Sequence, residues 1–269
     1  MGLFTGVKYV VKENAQNLYR SFSIAKYELL ADMRSTKLGI FWNFASPLIQ
    51  VATYWFVFGF VFDRDSVDGI DYLSWLLGGI VVWFFVSPCI TNGCNAIYQK
   101  AGIITKMKFP VSILPTTVIF KETFNHLCLL VIVFIVLVIK GHYPSVYWLE
   151  IIYYLICAMI FGIALSLTTS VLNMLARDVR KFILAIMRLL MYVTPILWEL
   201  ERLPAALQTV MKFNPIFYLV AGYRDAFFYH EGIFFYWDQM IIFWVWVIVL
   251  FWIGSTIMYH FRTRFIDLL

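Results

Sequence analysis

The chain has 269 residues, 62% of them hydrophobic, 19% aromatic and only 14% charged, with a formal net charge of +5. A soluble domain is about half apolar and a quarter charged, so too few charges are present to cover a water-facing surface. The composition excludes an ordinary soluble enzyme or nucleic-acid-binding module and places the chain among membrane proteins.

In chain order, the first segment, 1–43, carries no secretory signal: it lacks a long apolar core and a small-residue cleavage site. Gly6 occupies the position where a myristoylation signal has Ser or Thr. Within QNLYRSFSIAKYELLADMRSTKLG, Leu18, Phe22, Ala25, Leu29 and Met33 recur three and four residues apart. Arg20, Lys26, Glu28 and Arg34 take the other faces. That spacing predicts an amphipathic helix lying in the membrane interface.

A bilayer core of ~30 Å needs about 20 apolar residues per helix. Residues 44–269 supply six candidate spans, at roughly 44–62, 73–97, 115–139, 147–175, 183–198 and 238–260. The fourth is long enough to tilt or break near Gly162, and the fifth is short and holds Arg188 and Pro195. The region 199–237 mixes apolar runs with Pro204, Asn214, Pro215 and charges, and neither half makes a full span. It reads as two re-entrant helices, with an interfacial loop as the alternative. The expected fold is all-α and polytopic.

Orientation follows Lys and Arg. Six spans place both termini on one side, with Lys8, Lys12, Arg20, Lys26, Arg34 and Lys37 before the first span. The same side holds Lys100, Lys106 and Lys108 after the second span, Arg177, Arg180 and Lys181 after the fourth, and Arg262 and Arg264 near the end. The other side has Arg64, Lys140, Arg202, Lys212 and Arg224 and the acidic loop DRDSVDGID. Both termini are therefore expected in the cytoplasm of a multi-pass plasma-membrane protein.

No P-loop, zincin or nucleophile-elbow motif occurs, so no nucleotide or catalytic site is predicted. Cys89, Cys94, Cys128 and Cys157 read as small buried hydrophobes. His126, His142, His230 and His260 read as separate loop or interface residues. Lys121 and Glu122 fall inside the third span, where a charge needs a partner or water. Lys121 can snorkel, and Glu122 can pair with a basic residue of a neighbouring helix. Most Trp and Tyr residues, among them Trp42, Trp75, Tyr98, Tyr192, Tyr223 and Trp237, read as an interfacial belt. Asp63, Asp65, Asp68 and Asp71 read as a topology-setting loop, with a metal site as the alternative.

Four separated segments carry a resemblance. STKLGIFWNFASPLIQ, with Leu38, Gly39, Trp42 and Pro47, resembles the entry to the first span of type 2 ATP-binding-cassette permeases that export polysaccharides. IITKMKFPVSILP is similar to that family's loop after the second span, and LNMLARDVRKF to its Arg-Asp segment after the fourth. FNPIFYLVAGYRDAFF resembles its Asn-Pro and Tyr-Arg segment before the last span. Within the family the wall teichoic acid permeases look nearest, with O-antigen or capsular polysaccharide permeases as the alternative.

The resemblance implies the type V exporter fold and a homodimer working with two copies of a separate ATPase, which would hold the ATP and Mg; no cofactor is expected in this chain. It implies that the loop 99–110 is a coupling helix, with Lys100, Ile104, Lys106, Met107 and Lys108 facing the ATPase. Arg177, Asp178 and Arg180 join them from the second cytoplasmic loop. Arg34 and Lys37 are candidates for attracting the phosphates of a lipid-linked polymer at the cytoplasmic mouth, and Phe41, Trp42 and Phe44 for guiding its sugars. An ion-driven secondary transporter is the rival class, disfavoured by the absence of a clear internal repeat. A membrane-embedded sugar transferase is the other.

Overall fold

The computed structural model describes residues 4–35, 37–39, 41–64, 66–104, 106 and 109–262. The chain opens with α1 (Thr5–Gln16) and α2 (Leu18–Ser35), separated at Asn17. Next come α3 (Phe41–Tyr54), extended by a π-helical stretch Trp55–Val61, and a two-stranded hairpin, β1 (Ser66–Val67) and β2 (Ile70–Asp71). Its register is antiparallel, with Ser66 opposite Asp71 and Val67 opposite Ile70. The long α4 (Tyr72–Cys94) is followed by two single turns, α5 (Ala96–Gln99) and α6 (Ala101–Ile104). Then come α7 (Ile113–Ile139), a 3-10 turn Val146–Leu149, α8 (Glu150–Leu175) and α9 (Asp178–Val193). The remainder is a 3-10 turn Leu200–Arg202, α10 (Ala205–Lys212), α11 (Pro215–Arg224), a π-helical turn Asp225–Tyr229 and α12 (Trp237–Phe261).

Among the described residues five helices are long and apolar enough to cross a membrane: Phe41–Val61, Tyr72–Cys94, Ile113–Ile139, Val146–Leu175 and Trp237–Phe261. They coincide with five of the six expected spans, and α8 runs unbroken past Gly162. The remaining expected span is the exception. With 16 residues, α9 is ~24 Å long at 1.5 Å per residue, short of the ~30 Å hydrocarbon core. It nevertheless starts beside the base of α4, where Arg177 stacks on Tyr98 at 5.1 Å. Its continuation ends at the opposite end of the bundle, where the carbonyl of Leu197 accepts from the hydroxyl of Tyr72 at 3.0 Å and from Arg64 at 3.2 Å. Helix and extended tail together run the length of the bundle.

The bundle thus has two distinct ends. At the hairpin end, Asp71 caps α4 by accepting from the Ser74 amide at 3.2 Å and hydroxyl at 2.6 Å. Lys140, just past α7, pairs with the same carboxylate at 3.4 Å. At the other end α1 lies against the last turns of α12, with the Tyr9 and Tyr259 rings 5.5 Å apart. Both ends of the described chain therefore meet at one end of the bundle.

In the packing, α4 is central: 78% of its apolar window is buried, against 11% for the α3 span. It touches α7, α8, α9 and α11. Tyr72, Ile80, Phe85, Tyr154, Leu219, Tyr223 and Phe243 are fully enclosed. Helix α11 approaches α8 so closely that a Cβ on Gly222 would run into the Tyr154 ring. The tyrosines Tyr72, Tyr218 and Tyr223 and the tryptophan Trp75 are core residues at 0–3% exposure, correcting their assignment to an aromatic belt. Trp42, Tyr192 and Trp237 are exposed, as a belt requires.

The region 199–237 folds as a helical hairpin. The indole of Trp246 donates to the carbonyl of Phe213 at 3.1 Å, nine residues and so ~14 Å into α12. From that depth α11 returns to the hairpin end, where Tyr229 donates to Asp68 at 2.9 Å. Asn214 starts α11 by capping the Ile216 amide at 3.0 Å, with Pro215 at the first helical position, where its missing N–H costs nothing.

Other expectations are corrected. Ser21 and Ala25 are the fully buried residues of α2, which packs on α7, whereas Leu18 and Phe22 are 56% and 46% exposed. Of the apolar stripe read from the spacing, Ala25 is buried, Leu29 and Met33 are half-buried, and Phe22 sets its ring 5.5 Å from that of Phe124 on α7. Cys128 is exposed while the other three cysteines are buried. His126 is no loop residue: it is buried on α7, 3.0 Å from the Tyr223 hydroxyl.

Candidate functional site

In the segment between α4 and α7, Lys100 and Ile104 turn onto this chain itself, correcting the expectation that they face outward. Helix α4 stops at Asn95, whose buried side-chain oxygen accepts from Asn173 on α8 at 3.3 Å. The backbone then makes two short turns, α5 and α6, among the described residues, instead of one helix through the loop. Lys100 lies between them and reaches Glu28 of α2 at 2.6 Å. Ile104 is 4% exposed and locks α6 into a second apolar cluster with Val10, Ile97, Leu114, Val171 and Met258.

The exit of the segment is held as firmly. The Ser112 hydroxyl donates to the Glu13 carboxylate of α1. Thr116 donates to the Asn14 side-chain oxygen at 2.7 Å. Helices α2 and α1 thus clasp the two ends of the loop, although nothing in the spacing of Glu13, Asn14 and Glu28 announces it. A tether through Lys100 and Ile104 leaves other basic groups outward. Lys106, Arg177 and Arg180 are exposed. Arg177 is steadied by the Tyr98 ring, and Asp178, in the first turn of α9, pairs with Lys181 at 3.1 Å. Met107 and Lys108 lie outside the described residues.

The residues singled out near the first span lie along the α2–α3 turn. Arg34 and Lys37 are exposed, Phe41 and Trp42 are 55% and 50% exposed with rings 5.8 Å apart, and Phe44 is half-buried. The turn depends on Gly39, which has φ +43° and whose missing Cβ would meet the Met33 carbonyl. This group lies at and just beyond the C-terminal end of α2, past the Glu28 that holds Lys100.

Inside the bundle, Lys121 and Glu122 diverge. Lys121 pairs with Asp32 of α2. Glu122 is 8% exposed and has amide partners instead of the basic partner expected from the sequence. It accepts from Asn92 of α4 at 3.0 Å and from Asn125 at 3.1 Å. Asn125 in turn accepts from Asn43 of α3 at 3.2 Å. One carboxylate and three amides from three helices therefore form a hydrogen-bonding string, with Asn92 exposed at one end. The signal available in the sequence was the lone asparagine in each of three apolar helices. Arg188 is exposed on α9. No group of three or more His, Cys, Asp and Glu residues suited to a metal occurs among the described residues.

The described residues thus hold a tethered loop with exposed basic groups at one bundle end and a polar string within the apolar helices. The chain is 28% identical to the O-antigen export system permease protein RfbA of Klebsiella pneumoniae over 247 residues, covering 91% of this chain and 93% of that protein. A second Klebsiella pneumoniae protein of the same name is 27% identical over the same shares. The RfbA protein of Myxococcus xanthus is 24% identical over 82% of this chain and 85% of its own. The family model described as ABC-2 type transporter matches residues 19–228. By that match the chain belongs to the ABC-2 type transporter permeases, proteins that work with an ATPase partner.

Proposed function

We propose that this chain is the membrane subunit of an ATP-driven exporter that moves an O-antigen-type polysaccharide, carried on a lipid, from the cytoplasmic to the outer face of the plasma membrane. The observation that carries the proposal is the end-to-end similarity, over 91% of the chain, to permeases named for O-antigen export. The wall teichoic acid reading finds no support among these relatives, and the O-antigen alternative replaces it.

The geometry supports the mechanical half of this reading. Lys106, Arg177 and Arg180 are exposed on the two basic segments, suited to an acidic groove on an ATPase. The excess of Lys and Arg at this end supports a cytoplasmic placement for it and for both termini. On this reading α9 with residues 194–197 makes the sixth crossing, and α10–α11 is a re-entrant hairpin entering from outside. Two copies enclose the path. The span Phe41–Val61, only 11% buried in the single chain, offers its free surface to lipid and to the second copy. The Asn43–Asn125–Glu122–Asn92 string supplies hydrogen bonds to sugar hydroxyls where hydrocarbon would supply none. The exposed bases Arg34 and Lys37 meet the lipid phosphate at the cytoplasmic mouth, with Phe41, Trp42 and Phe44 beside them.

The test is reconstitution of the permease with its ATPase in vesicles loaded with lipid-linked polysaccharide. Vanadate-sensitive appearance of polymer on the far side supports the proposal. Reversing Lys106, Arg177 and Arg180 together is expected to abolish permease-stimulated ATP hydrolysis. Unchanged coupling in that triple variant overturns the assignment of the docking surface.

A further inference from the structure

At the hairpin end, remote from the coupling loop, the protomer holds a cavity of about 500 Å³. Ligand sites typically occupy ~300–1,000 Å³. Its walls are the β-hairpin, the stretch after α9, α10, α11, the turn after it and the first turn of α12. Two features separate it from a mere solvent cleft.

The first is a pair of buried polar atoms with no partner among the described residues. Arg224 is 6% exposed; two of its nitrogens donate to the carbonyls of Pro195 at 2.8 Å and Ile196 at 2.6 Å. Its guanidinium lies 3.4 Å from the Trp75 ring centroid. Nε remains without an acceptor. Gln239 is 9% exposed, and its side-chain oxygen has no donor. Both residues line the cavity. A buried donor and a buried acceptor left open forfeit the hydrogen bonds water gave them, and a ligand offering both restores them. Hydroxyl groups do so, since each donates and accepts.

The second is the composition of the wall. Phe217, Tyr229, Phe235 and Tyr236 present aromatic surface, and Asp68, Glu199, Glu201, Glu231 and Asp238 present carboxylates. Lys212 and Arg224 are the basic groups of the wall, and the Arg224 charge is already engaged with Trp75 and two carbonyls. Phosphates are recognised by free Arg forks or clustered Lys; here Lys212 stands against five carboxylates, whose surplus repels polyanions. Aromatic faces beside carboxylates and amides fit a ring with an apolar face and an equatorial rim of hydroxyls.

We propose that this cavity is a binding site for a neutral saccharide segment, held by stacking on its aromatic wall and by hydrogen bonds to Arg224 and Gln239. The inference rests on the export reading only in placing the site at the outer face; the occupant is then the emerging chain or a free sugar of the same chemistry. A site of this kind would grip sugar after it has passed the membrane and hinder its return.

The experiment uses the permease–ATPase complex in nanodiscs, with galactotriose and mannotriose as neutral probes and a glycerol-phosphate trimer as the anionic one. Binding is read by saturation-transfer NMR and calorimetry. Saturable binding of either neutral trisaccharide is expected, weakened about tenfold by Gln239→Leu, the order of one lost hydrogen bond. Phe235→Ala, at a side chain 58% exposed and so tolerant of truncation, is expected to weaken it as well. Absence of saturable neutral-sugar binding overturns the site. So does undiminished affinity in both variants, or tighter binding of the glycerol-phosphate trimer. Polymer export measured on the same complexes separates the two readings. Wild-type export without trisaccharide binding removes this site alone, whereas trisaccharide binding without ATP-driven export removes the export reading and keeps the site. Slowed export in the variants identifies the occupant as the emerging chain, and unchanged export with weakened binding identifies it as free sugar.

Discussion

Reversing one charge of the Lys100–Glu28 pair should uncouple the loop between α4 and α7 from α2. The ammonium and carboxylate are 2.6 Å apart, with side chains 30% and 21% exposed. A Coulomb estimate at an effective dielectric of 20 exceeds ~5 kcal/mol for such a separation, but partial exposure and side-chain entropy reduce measured pairs to ~0.2–1 kcal/mol. We take the upper end, because both groups are more than two-thirds covered. Lys100→Glu replaces attraction by repulsion of similar size, so the docked arrangement loses about 2 kcal/mol, roughly a 30-fold change in its ratio to the undocked one. Glu28→Lys should do the same. The double swap restores opposite charges, and a double-mutant cycle on permease-stimulated ATP hydrolysis should show coupling of up to about 4 kcal/mol, the two single losses recovered together. Additive single effects, with no rescue in the swap, would refute the tether.

Three further outcomes follow from the packing. Glu122→Leu leaves the Asn125 amide without its acceptor and should lower thermal stability by about 1–3 kcal/mol, while Glu122→Gln, which keeps an acceptor, should cost under half of that; equal melting of the two variants would count against the string. Gly222→Ala forces a methyl into the Tyr154 ring and should destabilise by about 1–3 kcal/mol as over-packing, measured by detergent-phase unfolding. Asp71→Ala removes the cap of α4 and should cost about 1 kcal/mol. Burial alone would raise the Asp71 pKa, but the Ser74 hydroxyl and amide and the Lys140 ammonium outweigh it and hold the carboxyl below its ordinary value. A depressed carboxyl stabilises fully above the unfolded pKa of ~3.9 and loses that contribution as pH falls through the folded one. The wild type should therefore show an acid-side loss of stability that Asp71→Ala lacks.

The basic loops were visible in residue order, because Lys100, Lys106 and Lys108, and Arg177, Arg180 and Lys181, cluster between apolar runs; what the order hid has identifiable causes. The clasp was not, because Glu13 and Ser112 meet across 99 positions. Helix α2 was found, but the spacing could not show that Ser21 and Ala25 are its buried residues against α7, since small residues carry little hydropathy signal. Glu122 was recognised as an intramembrane charge, yet its partners are amides on neighbouring turns and helices.

Hydropathy and charge by themselves determined the membrane class, the positions of five long helices and the side on which basic residues gather. They could not decide which helix is central, that α10 and α11 double back along α12, or that a walled cavity closes at the hairpin end. Lipid tails are as apolar as a protein interior, so a span reads alike whether it faces lipid or its neighbours. Only close approach in three dimensions, such as α11 against α8 at Gly222 or Arg224 against Trp75, separates the two.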